Sequence, residues 1–286
     1  MVLLSKFEEI SDNYDVFFFD LWGVIHNGKK PFENTLNCLK LLNKKEKSVF
    51  LLSNSPRLAE PTAKRLTEMG VPSDYYKGVY TSGTDCHLSL RNRPDDFYQA
   101  LGNKLYHLGP EIYDPIFNTL DYVAVKTPNE ADFMLISGTV DWIHTLEGYD
   151  PILNAALDYG LPLVCANADK QVIYDESRIP CAGLLAETYA HNGGSIRLHG
   201  KPNPVMYENI HNIAQQKLER SIPKNKVLMV GDSLATDIKG ANAYGIDSLM
   251  VLMGVHRSAL IPYCKAPKAF EKQLLILIET YKATPT

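Results

Sequence analysis

Val16-Phe17-Phe18-Phe19 is an unbroken apolar run that ends on a carboxylate, Asp20, with Gly23 three residues further on. Four apolar residues with no polar break suit a strand buried on both faces, as in a parallel sheet flanked by helices. A charge at the end of such a strand falls where the sheet stops, and a glycine just beyond lets the backbone turn sharply. In open α/β sheets that edge is where ligands bind. Asp20 alone serves equally well as a turn or helix-capping residue. Its meaning depends on what the rest of the chain places beside it.

The same pattern recurs along the chain. Ser48 to Leu52 reads as a second buried strand, ending in Ser53-Asn54-Ser55-Pro56. A helix follows from about Leu58, with Leu58, Thr62, Leu66 and Met69 on one face and Gly70 as its stop; Pro61 is tolerated only in its first turn. Val79-Tyr80-Thr81 is a third short strand. In the middle section, strands are expected at Lys104–Gly109, Val123–Val125, Asp132–Gly138 and Leu161–Ala166, the last ending in Asn167-Ala168-Asp169, with a helix over Tyr149–Tyr159. The last part returns to the first pattern. Ser195–His199 leads into Gly200-Lys201-Pro202, an amphipathic helix carries Met206, Ile210, Ile213, Ala214 and Leu218, and the strand Lys226–Val230 ends at Gly231-Asp232, with Asp237 behind it. A helix over Ile238–Tyr244, a strand over Asp247–Leu252 and a closing helix over Ala269–Tyr281 complete the chain. Alternation of strand and helix predicts an α/β fold: a Rossmann-like, doubly wound parallel-sheet core over residues 1–83 and 195–286, with an α/β domain over 84–194 inserted in it.

Composition narrows the function. A hydrophobic content of 45% over 286 residues supplies a sizeable core. The net charge of -4, with no basic run, points away from nucleic acid and from anionic membrane surfaces. The five cysteines are scattered with no C-x-x-C pair, which reads as reduced thiols in a cytoplasmic protein. Met1 to Ser11 lacks a signal-peptide core, and no apolar segment approaches the roughly 20 residues of a transmembrane helix.

Four expected strands run into polar residues: Asp20, Ser53-Asn54, Lys201 just past Gly200, and Asp232 with Asp237. In one parallel sheet these ends share an edge. Carboxylates gathered there need a counter-charge. A hard divalent cation supplies it, and Mg²⁺ suits carboxylates that also meet a phosphate. Lys201 adds a second positive charge, and Ser53 with the backbone N–H groups near Asn54 suits phosphoryl oxygens at a helix start. Each residue taken singly is equally a cap or a solvated loop residue; the set in this order is what signals a site.

Asp20-Leu21-Trp22-Gly23-Val24, then Ser53-Asn54, then Lys201-Pro202, then Gly231-Asp232-Ser233 through Asp237 resemble the four motifs of the haloacid dehalogenase superfamily. The inserted unit between the second and third motifs resembles subclass IIA, the NagD-type and 4-nitrophenylphosphatase-like group. The resemblance implies that Asp20 is a nucleophile forming an aspartyl-phosphate. It implies Mg²⁺ ligation by Asp20, the Trp22 carbonyl and Asp232, with Asp237 orienting a metal-bound water or the lysine. Ser53, Asn54 and Lys201 would bind the phosphoryl group, and Asn167 and Asp169 would sit on a cap loop facing a small phosphorylated metabolite, a sugar phosphate among the candidates. Edge strands of the cap could pair between two copies as a homodimer, as in some members.

One position departs from the family pattern. Where the family carries a second aspartate that protonates the leaving oxygen and later activates water, this chain has Trp22. An indole N–H donates a hydrogen bond but does not exchange a proton at working pH. General acid–base catalysis is worth about 10²–10⁴-fold, so slow turnover of alkyl phosphates is expected unless His26, the nearest titratable side chain, serves instead. A stable leaving group would relieve the need, as would a reaction that stops at the aspartyl-phosphate; Trp22 could also be a pocket wall that stacks on a ring. Two readings follow: a phosphatase, and a phospho-ligand-binding protein that has lost turnover.

Overall fold

The computed structural model describes residues 6–141, 143, 145–174, 177–252 and 254–286. Twelve strands form among these residues: β1 (Val16–Phe19), β2 (Ser48–Ser53), β3 (Gly78–Thr81), β4 (Lys104–Leu108), β5 (Val123–Val125), β6 (Phe133–Ile136), β7 (Leu163–Cys165), β8 (Gln171–Tyr174), β9 (Ser177–Pro180), β10 (Ile196–Leu198), β11 (Val227–Gly231) and β12 (Asp247–Met250). The chain divides into two compact units. One comprises residues 1–53, 62–80 and 201–286, the other residues 54–61 and 81–200.

The first unit is built on a five-stranded sheet in the order β12-β11-β1-β2-β3. The apolar run at Val16 lies at its centre, parallel to both neighbours, with Phe18 opposite Met229 on one side and Phe50 on the other. All four of its residues are buried. Alternation along the strands sends Phe17, Phe19, Val49, Leu51, Leu228 and Val230 to one face, where Leu39, Leu42 and Leu66 of the helices Glu33–Lys44 and Ala59–Glu68 cover them. Phe18 points the other way and meets His211 of the helix Pro204–Lys217 edge-to-face. That helix starts where its sequence directs. Pro204 occupies the first turn, and the Asn203 side chain accepts the Val205 N–H at 3.1 Å. Buried strands covered by helices on both faces need continuous apolar runs, which is why β1, β2 and β11 read so clearly.

The second unit has its own five-stranded sheet, β10-β7-β6-β4-β5, parallel throughout. Its faces are covered by two apolar clusters, one around Met134, Ile136, Leu153 and Tyr189, the other around Leu105, Phe133, Leu135 and Phe117. β8 and β9 form a separate antiparallel pair. The expectation for 195–199 needs correcting. Ile196–Leu198 does not join the first sheet but pairs with β7. Three of the four polar strand ends therefore come from one sheet, and Lys201 follows a strand of the other. The units divide at 53/54, 61/62, 80/81 and 200/201.

Phe18→Ala should lower the stability of the first unit by about 3–5 kcal/mol, the cost of emptying a fully buried aromatic site. Leu275→Ala, at a side chain 49% exposed on the helix Pro267–Tyr281, should stay within about 0.5 kcal/mol. Urea denaturation followed by circular dichroism checks both.

Candidate active site

Asp20 continues directly from β1, its N–H donating to the Val230 carbonyl at 2.9 Å. Asp232 follows β11 in the same way, so two adjacent parallel strands deliver two carboxylates to one edge. Asp237 lies in the turn of π-helix Leu234–Ile238, ahead of the helix Lys239–Tyr244. Its Oδ2 accepts the N–H groups of Asp232 and Ser233, each at 3.1 Å, and so ties the loop after β11 into shape. Oxygens of Asp20, Asp232 and Asp237 all lie within 4.8 Å of one another, and all three residues are buried.

Lys201 sits among them, 2% exposed. Its Nζ donates to Asp20 Oδ1 at 2.6 Å, Asp237 Oδ1 at 2.6 Å and the Leu52 carbonyl at 3.2 Å. Two carboxylates and a carbonyl thus accept from the ammonium, which has donors alone to offer. Burial pulls Lys201 toward its neutral form, but the Asp20 and Asp237 charges and hydrogen bonds hold its pKa above the ordinary range. Asp232 goes the opposite way. Burial, then the charges of Asp20 and Asp237, raise its carboxyl well above the usual carboxylate range. One ammonium against three carboxylates leaves net negative charge in a desolvated place. Carboxylate oxygens at this spacing are the donor set of a hard divalent cation, and they fit one.

Two glycines wall Asp232. A Cβ on Gly23, whose φ is +84°, would lie 2.1 Å from Asp232 Oδ2, and one on Gly254 would lie 1.9 Å from the same atom. The Val255 N–H donates to that oxygen at 2.8 Å. The peptide at Trp22–Gly23 therefore rests against the carboxylate cluster, and no side chain at residue 23 or 254 would allow it.

Trp22 itself is half-buried. Its indole meets the His26 ring edge-to-face at a centroid distance of 5.5 Å, and a Cβ on Gly28 would come within 2.4 Å of its Cη2. His26 Nδ1 accepts the Gly28 N–H at 3.0 Å, and the Gly28 carbonyl accepts from Arg65 Nη2 at 3.3 Å. Burial, aided by the Arg65 charge, pushes the His26 imidazole down to about 4. The ring nitrogen that accepts this backbone N–H closes the turn.

Of the remaining expected site residues, Ser53 is the buried last residue of β2, next to the Leu52 carbonyl that accepts from Lys201. Asn54, Asn167 and Asp169 meet within the second unit. Asn54 Nδ2 donates to Asp169 Oδ1 at 2.7 Å, and Asn167 Oδ1 accepts the Asp169 N–H at 2.9 Å. The first unit thus gathers Asp20, Trp22, Ser53, Lys201, Asp232 and Asp237, and the second gathers Asn54, Asn167 and Asp169. The sequence reading missed Gly254, a lone glycine in a loop with no pattern around it. It also missed a buried network in the second unit, where His199 Nδ1 bonds Asp85 Oδ2 at 2.5 Å and Nε2 bonds the Tyr98 hydroxyl. These residues are too far apart along the chain for spacing to signal them.

Comparison with known proteins gives the class. A haloacid dehalogenase-like hydrolase model matches residues 17–122, and a HAD-hydrolase-like model matches residues 198–274. A crystal structure of a haloacid dehalogenase-like hydrolase from Brucella suis is 31% identical, covers 90% of this chain and 92% of its own, and superposes with a TM-score of 0.83. The chain belongs to the haloacid dehalogenase-like hydrolase family. Among curated relatives, the 4-nitrophenylphosphatase of Schizosaccharomyces pombe is 27% identical over 92% of each chain. The D-glycerol 3-phosphate phosphatase of Mycobacterium tuberculosis is 25% identical, covering 87% of this chain and 66% of the relative. Among the described residues no helix is long and apolar enough to cross a membrane.

Mg²⁺ at roughly 100 times its dissociation constant should stabilise the fold by about 2.7 kcal/mol, seen as a rise in Tm by calorimetry. Asp232→Asn should raise the Tm of the metal-free protein, because it removes a buried like charge, and should remove the increment from Mg²⁺. Gly254→Ala should also remove the increment, since its Cβ would displace Asp232 Oδ2.

Proposed function

We propose that the chain is a Mg²⁺-dependent phosphatase acting on small phosphorylated metabolites through an aspartyl-phosphate. The observation that carries this reading is the meeting of Asp20, Asp232 and Asp237 around the buried Lys201 ammonium.

In this reading Asp20 is the nucleophile. A carboxylate beside a lysine ammonium stays ionised and can attack at neutral pH. One of its carboxylate oxygens forms a bond to phosphorus while the ester P–O bond breaks, and the electron pair leaves on the departing oxygen. Water then attacks phosphorus, releases phosphate and restores the Asp20 carboxylate. Lys201, held by Asp237, offsets charge that builds on the equatorial oxygens. Ser53 and the backbone around Asn54 would hold the same oxygens. Asp20, the Trp22 carbonyl and Asp232 would hold Mg²⁺, with Asp237 supporting them; the cation supplies charge neutralisation at the transferring phosphoryl group. For leaving-group selection, Asn167 and Asp169 are the residues to vary first. The S. pombe and M. tuberculosis relatives, named as phosphatases, support the reaction class.

A second reading is kept because of Trp22: a phospho-ligand-binding protein with little turnover. The two separate cleanly. A panel of phosphate esters with Mg²⁺ should release phosphate, and Asp20→Asn should lower that release on the order of 10⁴-fold or more. Acid quenching during turnover should leave phosphate on Asp20, read by peptide mass spectrometry. Thermal stabilisation by esters with no release from any of them would favour the binder.

A further inference from the structure

Trp22 is the feature of this site that the reaction above leaves unused. Two residues along from Asp20, its backbone is pressed to the carboxylate cluster through Gly23. Its ring is fixed. His26 meets it edge-on, and Gly28 covers its six-membered ring so closely that only a glycine fits there. The turn carrying Gly28 is closed by the Gly28 N–H to His26 Nδ1, and Arg65 fastens it from the helix Ala59–Glu68. Two contacts hold an indole that remains partly exposed. A rigid, partly exposed aromatic face costs little ordering on binding and offers stacking.

The loop after Asp20 is also poorly equipped to protonate an alkoxide. From Leu21 to Pro31 its ionisable side chains are His26, Lys29 and Lys30. His26 is buried with one ring nitrogen bonded to the Gly28 N–H, and both lysines are exposed. The Trp22 indole N–H does not give up its proton at working pH. A leaving group that departs as a stable anion removes the requirement. A flat face and a stable anion coincide in a phenol-type leaving group.

We propose that Trp22, fixed by Gly28 and His26 beside the carboxylate cluster, makes this site select phosphomonoesters with an aromatic leaving group. The inference rests on the phosphatase reading. In the favoured step the Asp20 oxygen bonds to phosphorus, the P–O(aryl) bond breaks, and the pair departs on an aryloxide that takes its proton from solvent. Stacking on Trp22 orients the ring for that departure; Trp22 is a specificity residue that touches the substrate.

Two measurements test it. The first is steady-state turnover with Mg²⁺ of 4-nitrophenyl phosphate, phenyl phosphate and glycerol 3-phosphate. Wild type should favour the aryl esters over glycerol 3-phosphate by about 10²–10⁴-fold in kcat/KM. Trp22→Asp should raise the alkyl ester by a similar factor and 4-nitrophenyl phosphate far less. The second is calorimetric binding of phenylphosphonate and propylphosphonate in the presence of Mg²⁺, which needs no turnover. Wild type should prefer phenylphosphonate, Trp22→Leu should lose that preference by about three- to tenfold, and Trp22→Phe should keep most of it. Glycerol 3-phosphate turned over as fast as the aryl esters would overturn the inference and leave the phosphatase reading standing. No phosphate from any ester would overturn the phosphatase reading, and equal affinity for the two phosphonates would then overturn the stacking as well.

Discussion

The arrangement depends on a charge imbalance that the sheet enforces. Parallel pairing of β1 with β11 sets Asp20 and Asp232 side by side, and the loop after β11 folds Asp237 back against them. The three are buried with one ammonium between them. Lys201 donates to Asp20, Asp237 and the Leu52 carbonyl, while burial and the charges of Asp20 and Asp237 raise the Asp232 carboxyl well above the usual carboxylate range. A protein does not hold such a cluster for stability, since replacing buried charges by apolar groups is often neutral or better. The imbalance is what a dication and a phosphoryl group would correct.

Backbone rather than side chain gives the cluster its shape. Gly23 and Gly254 press on Asp232 from two sides, and Gly231 does the same to Asp237, where an added Cβ would lie 2.2 Å from the Asp237 Cβ. The carboxylates are held by main-chain walls that do not change rotamer. Preorganisation of this kind is what makes fixed charges effective at a reacting centre. Trp22 belongs to the same design, since the loop that packs on Asp232 also fixes the indole. Two residues after Asp20 the chain carries this held ring and not a carboxylate.

Much of this was legible before any coordinates. Val16–Phe19 announced a buried central strand because nothing polar interrupts it, and Asp20 stood out because a charge ends that run. Asp232 was legible for the same reason at the end of β11. Lys201 lies among the carboxylates, although the strand before it pairs in the other sheet. Ile196–Leu198 is three residues long and only partly buried, and local pattern does not say which sheet such a strand joins. Asn54 was expected to bind the phosphoryl group; its side chain donates to Asp169, a partner 115 residues away that spacing does not reveal. The β8–β9 pair went unseen because Pro180 and the charges near it mask a short edge pairing. His26 looked available until its ring nitrogen was found bonded to Gly28. What sequence withheld was long-range partnership: which sheet, which acceptor, which glycine.

The most direct measurement is a crystal structure grown with Mn²⁺ as a stand-in for Mg²⁺, with the ion located by its anomalous scattering. The expected result is a single strong peak at bonding distance, roughly 2.0–2.3 Å, from carboxylate oxygens of both Asp20 and Asp232, with Lys201 still on Asp20 and Asp237. A peak bound elsewhere, or carboxylates of Asp20 and Asp232 too far apart to share one ion at saturating Mn²⁺, would contradict it.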